Sequence, residues 1–261
     1  MRRDHHSSLQ TEEAYLFFLI LLVASVPFWL LGVFVTDHVL PGLPVSALMF
    51  LAPALVGGLL SLRGGVEALT AFLSQIGDLG RMPPWAWAFA IFTPPLLALL
   101  SAIIQTAHGT ALPPPQLGWS NVLTLLAMFL VAGLAEELGW TGYVARRLTP
   151  VHGIIGAALL IGGVSVFWHA VPLLQAERNL VWFAWWAVGS MSRRMLLTWL
   201  YVQGGYSVFG AALMHAMSNL SWMLYPSMSS HYDPMVAGLV TLAVAATLVS
   251  IDRIRPRGLA E

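Results

Sequence analysis

Cysteine is absent from this chain, which excludes disulfides, thiolate catalysis and thiolate metal sites. Lysine is absent too, and the twelve arginines only balance the twelve acids, so there is no basic surface of the kind that nucleic acids require. DNA and RNA are therefore not expected partners. Charge of either sign is scarce, at 9% of residues against about a quarter in soluble proteins, while 58% are hydrophobic. An ordinary soluble enzyme is excluded.

What is present is a series of long apolar runs. A bilayer core about 30 Å thick needs about 20 mainly apolar residues at about 1.5 Å rise each. Eight such runs fall near 14–36, 44–62, 84–105, 119–147, 152–171, 181–201, 206–226 and 234–251. They are separated by Thr36-Asp37-His38, Arg63-Gly64-Gly65, Pro113-Pro114-Pro115, Thr149-Pro150, Glu177-Arg178, Gly204-Gly205 and Asp233-Pro234, which are turn signals. Between the second and third runs, Val66, Leu69, Phe72, Leu73, Ile76 and Leu79 recur near helical spacing, which predicts a short interfacial helix over Val66 to Met82. The expected fold is an all-α polytopic transmembrane bundle, one integral-membrane domain over 1–261. Its first run reads as a retained anchor rather than a signal peptide.

Orientation follows from the arginines. With the N-terminus inside, Arg2, Arg3, Arg63, Arg81, Arg146, Arg147, Arg253, Arg255 and Arg257 share one side, and only Arg178 faces the other. Both termini are expected to be cytoplasmic, at the plasma membrane if the source is prokaryotic. The lipid bilayer is then an obligatory partner.

A few ionisable or amide side chains remain inside the runs: Glu136 and Glu137, His169, Arg193 and Arg194, and His215 with Asn219. Each acid at mid-helix costs about 2.5–3.5 kcal/mol, so two together ask for roughly 5–7 kcal/mol of compensation. As sequence neighbours, Glu136 and Glu137 point about 100° apart and cannot share one task symmetrically. Glu137 shares a stripe with Thr141, and His215 shares one with Asn219. A hairpin turning around Thr149 to Gly153 brings Glu136 and His169 to similar depth. Such a set has the parts for hydrolysing an amide with water: Glu136 as general base, His169 positioning the water, and His215 and Asn219 donating to the oxyanion. One such donor is worth about 2.7–4 kcal/mol.

The segments Ala135-Glu136-Glu137-Leu138-Gly139-Trp140-Thr141-Gly142-Tyr143, Phe167-Trp168-His169-Ala170-Val171-Pro172-Leu173, Leu196-Leu197-Thr198-Trp199-Leu200-Tyr201 and His215-Ala216-Met217-Ser218-Asn219 resemble, in this order, the motifs of the CAAX prenyl protease and bacteriocin-processing family of intramembrane endopeptidases. The resemblance covers residues 118–226, a motif-bearing catalytic core, and implies proteolysis in or beside the membrane. It assigns Glu136 as base, His169 as its partner, His215 and Asn219 as oxyanion donors and Glu137 as an orienting residue. Two positions depart from the family pattern. Thr141 stands where the family usually has arginine, and Ser165 where it usually has an aromatic residue. Arg193 or Arg194 is the expected substitute counter-ion for Glu137.

The expected substrate is a membrane-associated peptide or protein tail. No cofactor is expected, although Glu136, His169 and His215 also make a set of the type that holds zinc with an open position. No His-Glu-x-x-His motif is present, and the metal-free reading gives Asn219 a task. Two other readings are a catalytically silent immunity or scaffolding member of the family, and a transporter. The absence of internal repeats counts against transport. Trp182, Trp185, Trp186 and Trp199 read as packing or interfacial residues, and Asp4 with His5 and His6 as a solvated tail.

Overall fold

The computed structural model describes residues 2–40, 42–114, 118–224 and 229–254, and side chains only from 9 to 252 within them. The side chains of Asp4, His5 and His6 lie outside that set, as do Tyr225 and Pro226 at the end of the motif-bearing region. The helices are α1 (Arg2–Phe34), α2 (Ala52–Leu62), α3 (Gly65–Leu73), α4 (Pro84–Ala107), α5 (Trp119–Glu137), α6 (Arg146–Gln175), α7 (Leu180–Gln203), α8 (Val208–Met223) and α9 (Pro234–Ile254). Their starts follow local chemistry. Proline occupies the first turn of α2 and α4, where its missing N–H is not needed. Asn179 caps α7 by accepting from Trp182 N at 2.9 Å, and Asp233 caps α9 by accepting from Met235 N at 2.8 Å.

Among the described residues, five stretches are long and apolar enough to cross a membrane: Leu9–Phe34, Val45–Leu62, Pro84–Ala107, Trp119–Gln175 and Pro234–Asp252. The 57-residue stretch holds two passes, reversed at Gly153 in the left-handed region (φ 66°). The helix thus continues through the expected break at Thr149-Pro150 and ends three residues later. α7, with its buried Ser190, Ser192 and Arg194, and α8, with only 16 residues, do not meet that standard alone. Packing inside the bundle holds them instead.

Contacts at the helix ends give the topology. Leu9 of α1, Arg63 after α2 and Arg146 of α6 line one cavity, while Gln203 Nε2 of α7 donates to Asp252 of α9 at 3.0 Å. At the opposite end, Gln175 Nε2 donates to the Trp29 carbonyl at 2.9 Å, and the Trp182 ring of α7 lies 5.8 Å from that of Tyr232, just before α9. α3 adds a short segment at the arginine-rich end, so α1, α2 and α4 to α9 make the expected eight passes. The interfacial segment is α3 followed by 3-10 turns at Ser74–Gly77 and Leu79–Arg81, with Val66, Leu73, Ile76 and Leu79 exposed and Phe72 buried. One element departs from an all-helical chain: His38–Leu40 (β1) pairs antiparallel with Leu43–Pro44 (β2), making the reversal between the first two passes.

The second departure lies at the centre. After Glu137 the fourth pass opens from α-helix into a π-helix, Leu138–Ala145, in which all eight residues are buried. Glycine lets this wider turn sit against its neighbours: a Cβ on Gly139 would stand 2.5 Å from the Pro53 carbonyl oxygen of α2. Aromatic rings lock it in place. Trp140 packs at 5.9 Å from Phe17 of α1 and 5.5 Å from Trp168 of α6, and Trp168 Nε1 donates to Ser25 Oγ at 2.7 Å. One turn before the glutamates, Gly133 brings α5 against α8, where a Cβ would lie 2.9 Å from the Ala212 carbonyl oxygen.

Candidate functional site

The close approach at Gly133 places the end of α5 beside the middle of α8, and there Glu137 is fully buried. Both its oxygens are engaged. Arg194 Nη1 donates to Oε2 at 2.7 Å and Nη2 to Oε1 at 3.0 Å, a two-pronged pair reaching across from α7. Thr141 Oγ1 also donates to Oε2, and His215 Nδ1 approaches Oε1 at 2.8 Å. An arginine, a hydroxyl and an imidazole thus hold both oxygens of this carboxylate in place.

Of the two candidate counter-ions, the structure pairs Arg194 with Glu137 and sends Arg193 elsewhere. Arg193 lines a cavity of about 20 Å³ with Ser218, Trp222 and Tyr232, room for about one water. The departure at Thr141 is thus matched by a guanidinium from another helix, and the threonine hydroxyl completes the same carboxylate's shell.

Glu136 is in a different state. It is also buried, but its Oε2 has no hydrogen-bond partner among the described residues. A buried acceptor without a protein partner is uncommon in a folded protein and marks a position open to a functional role. His169 stands on α6, its ring 4.7 Å from Trp168 and 5.4 Å from Trp186 of α7. Its Nδ1 lies 2.8 Å from the Ser165 carbonyl oxygen, which can only accept, so Nδ1 carries the proton and Nε2 keeps a lone pair in the neutral ring. The second departure, Ser165, therefore sits at the residue that sets this tautomer. His215 is likewise held through Nδ1, leaving Nε2 unengaged.

No direct hydrogen bond joins Glu136 to His169 among the described residues, although similar depth led to the expectation that they meet. Both lie within electrostatic reach of Arg193, Arg194 and His215. Asn219 follows His215 by one turn of α8, half-buried and without a hydrogen-bond partner among the described residues. No trio of His, Asp or Glu among the described residues, Glu136, His169 and His215 included, is grouped closely enough to hold a metal ion.

One organising residue escaped the sequence reading. Asp78, in the interfacial segment, accepts from Ser207 Oγ at 2.7 Å, Val208 N at 2.9 Å and Phe209 N at 3.1 Å, so it caps α8 and aims the helix that carries His215. Ser207 before an apolar run was the local signal for a cap. A partner 129 residues away leaves no such signal.

The fold and site define an integral-membrane helical bundle enclosing a polar, titratable centre. Residues 118–221 match the sequence model of a family described as Type II CAAX prenyl endopeptidase Rce1-like. CAAX prenyl protease 2 of Methanococcus maripaludis is 24% identical over 173 residues, which is 61% of this chain and 63% of that relative. The chain thus spans a little under two thirds of the curated relative it matches. These matches, like the four ordered motifs, make residues 118–221 similar to the CAAX prenyl protease and bacteriocin-processing family.

Proposed function

We propose that this chain is an intramembrane endopeptidase that hydrolyses a peptide bond in a membrane-associated protein or peptide. The observation that carries the reading is the contrast between two adjacent buried acids, Glu137 with both oxygens occupied and Glu136 with Oε2 open. Glu136 takes a proton from a water that also donates to His169 Nε2, and the resulting hydroxide attacks the scissile carbonyl carbon. The oxyanion accepts hydrogen bonds from Asn219 Nδ2 and, when the His215 ring carries both protons, from His215 Nε2. Glu136 then returns its proton to the leaving amine as the C–N bond breaks. Glu137 orients His215 through Nδ1, as a carboxylate orients the imidazole of a hydrolase triad. No metal takes part in this scheme, and both termini face the cytoplasm.

The test is cleavage of membrane-tethered peptides by the full chain in liposomes. Glu136→Gln and His169→Ala should each lower kcat by about 10²–10⁴-fold, and a chelator should leave wild-type turnover unchanged. Undiminished turnover in either variant would remove that residue from the mechanism. Loss of activity to a chelator with recovery on added zinc would replace the metal-free scheme. Cellular phenotypes that survive both substitutions would favour a scaffolding role. The inactive Glu136→Gln chain can also serve as a substrate trap.

A further inference from the structure

We propose that the cavity at the arginine-rich end of the bundle binds the phosphate of an anionic phospholipid headgroup. The cavity, about 760 Å³, lies where α1, α2, α3 and the π-helix converge, and it is walled by Arg63, Arg146, Arg147, Glu13, Phe72 and Tyr143 among others. Its charges are not balanced internally. Arg147 is committed: its Nε donates to Glu13 Oε2 at 2.6 Å, its Nη1 donates to the Tyr143 carbonyl oxygen at 2.9 Å, and its guanidinium carbon sits 3.6 Å from the Tyr143 ring centroid. Among the described residues Glu13 is the one acid on the wall, and none of them there is a counter-ion to Arg63 or Arg146. Neither side chain makes a hydrogen bond or ion pair among the described residues, and both are exposed. Two free guanidiniums at the mouth of one cavity present the forked donors that match phosphate oxygens.

The rest of the wall says which phosphate. Leu9, Leu60, Ala68, Ala71 and Phe72 give the cavity an apolar side, which a free inorganic anion has no use for and a glycerolipid does. The site also lies at the right depth. α3 exposes Val66 and Leu73 in the interfacial segment, the second pass ends at Arg63, and Arg146 lies in the last turns of the fourth pass before its reversal at Gly153. Basic pockets between helices at this level are suited to anionic headgroups. The inference stands apart from the reaction proposed for Glu136, since it concerns binding alone.

The test titrates the purified full chain in detergent with short-chain phosphatidylglycerol, with phosphatidylcholine of the same chain length and with inorganic phosphate. Bound lipid is read by native mass spectrometry and Tm by thermal shift. Phosphatidylglycerol should bind tightest, and the Arg63→Gln/Arg146→Gln double variant should weaken it about 30-fold, at about 1 kcal/mol per arginine, with the lipid-free Tm unchanged. Should the double variant fold poorly, Arg63→Glu at an exposed position should show the same direction of loss. Equal binding of phosphatidylcholine, undiminished binding by the folded variants, or saturable binding of inorganic phosphate as tight as that of the lipid would each overturn the proposal.

Discussion

Glu137 and Arg194 form the most consequential pair in the molecule, because a charge taken out of water and out of lipid survives only if it is neutralised where it stands. Arg194→Gln leaves the fully buried Glu137 without its cation and should lower stability by about 3–5 kcal/mol. Arg193→Gln removes a charge with no ion-pair partner among the described residues and should lower it by less than about 1 kcal/mol, both read by thermal unfolding in detergent. Equal losses would show that the pairing has no energetic weight. A second-site test probes the relation between Thr141 and Arg194. Family members usually carry arginine where Thr141 stands, so Thr141→Arg added to Arg194→Ala should restore at least about half of the lost stability, a coupling expected only of residues sharing one network. No recovery would mean that α7 supplies more than a charge at this point.

At the scale of elements, the site depends on how two helices are started or interrupted. The π-helix after Glu137 was not legible, since the motif reads as an uninterrupted apolar helix and only Gly139 and Gly142 hint at close packing. Its cause is tertiary: Pro53 crowds one side and Trp140 is wedged between Phe17 and Trp168 on the other. π-turns of this kind cluster at functional positions, where they re-aim side chains. α8 shows the same dependence on a distant residue. Asp78→Ala removes three hydrogen bonds from its first turn and should cost about 1–2 kcal/mol, with amide exchange rising first in residues 207–211. Unchanged exchange there would show that packing alone holds the start of α8.

For the whole molecule, the same end of the bundle collects Leu9 near the start of α1, Arg63, Arg146, Gln203 and Asp252, the end that the positive-inside tendency expects to face the cytoplasm. Because the chain has no cysteine, single-cysteine variants need no altered background. On intact cells a membrane-impermeant maleimide should label His38→Cys in the exposed hairpin but label Gly64→Cys only after permeabilisation. The reverse pattern would invert the topology.

The division between what sequence and structure determine follows from the range of the forces involved. Low charge and repeated apolar runs dictate a membrane bundle locally, residue by residue, because each helix must satisfy its own backbone in lipid. The same scarcity isolated Glu136, Glu137, His169, Arg193, Arg194, His215 and Asn219 as chemistry-bearing candidates, and it narrowed the counter-ion to two adjacent arginines. Adjacent residues on a helix face different ways, so only the packing of α7 against α5 could choose Arg194 over Arg193. Likewise only packing could occupy Glu137 while leaving Glu136 open, give His215's Nδ1 to Glu137, and set Asp78 at the head of α8. Those are contacts between passes far apart in the chain, and their geometry exists only once the bundle has closed.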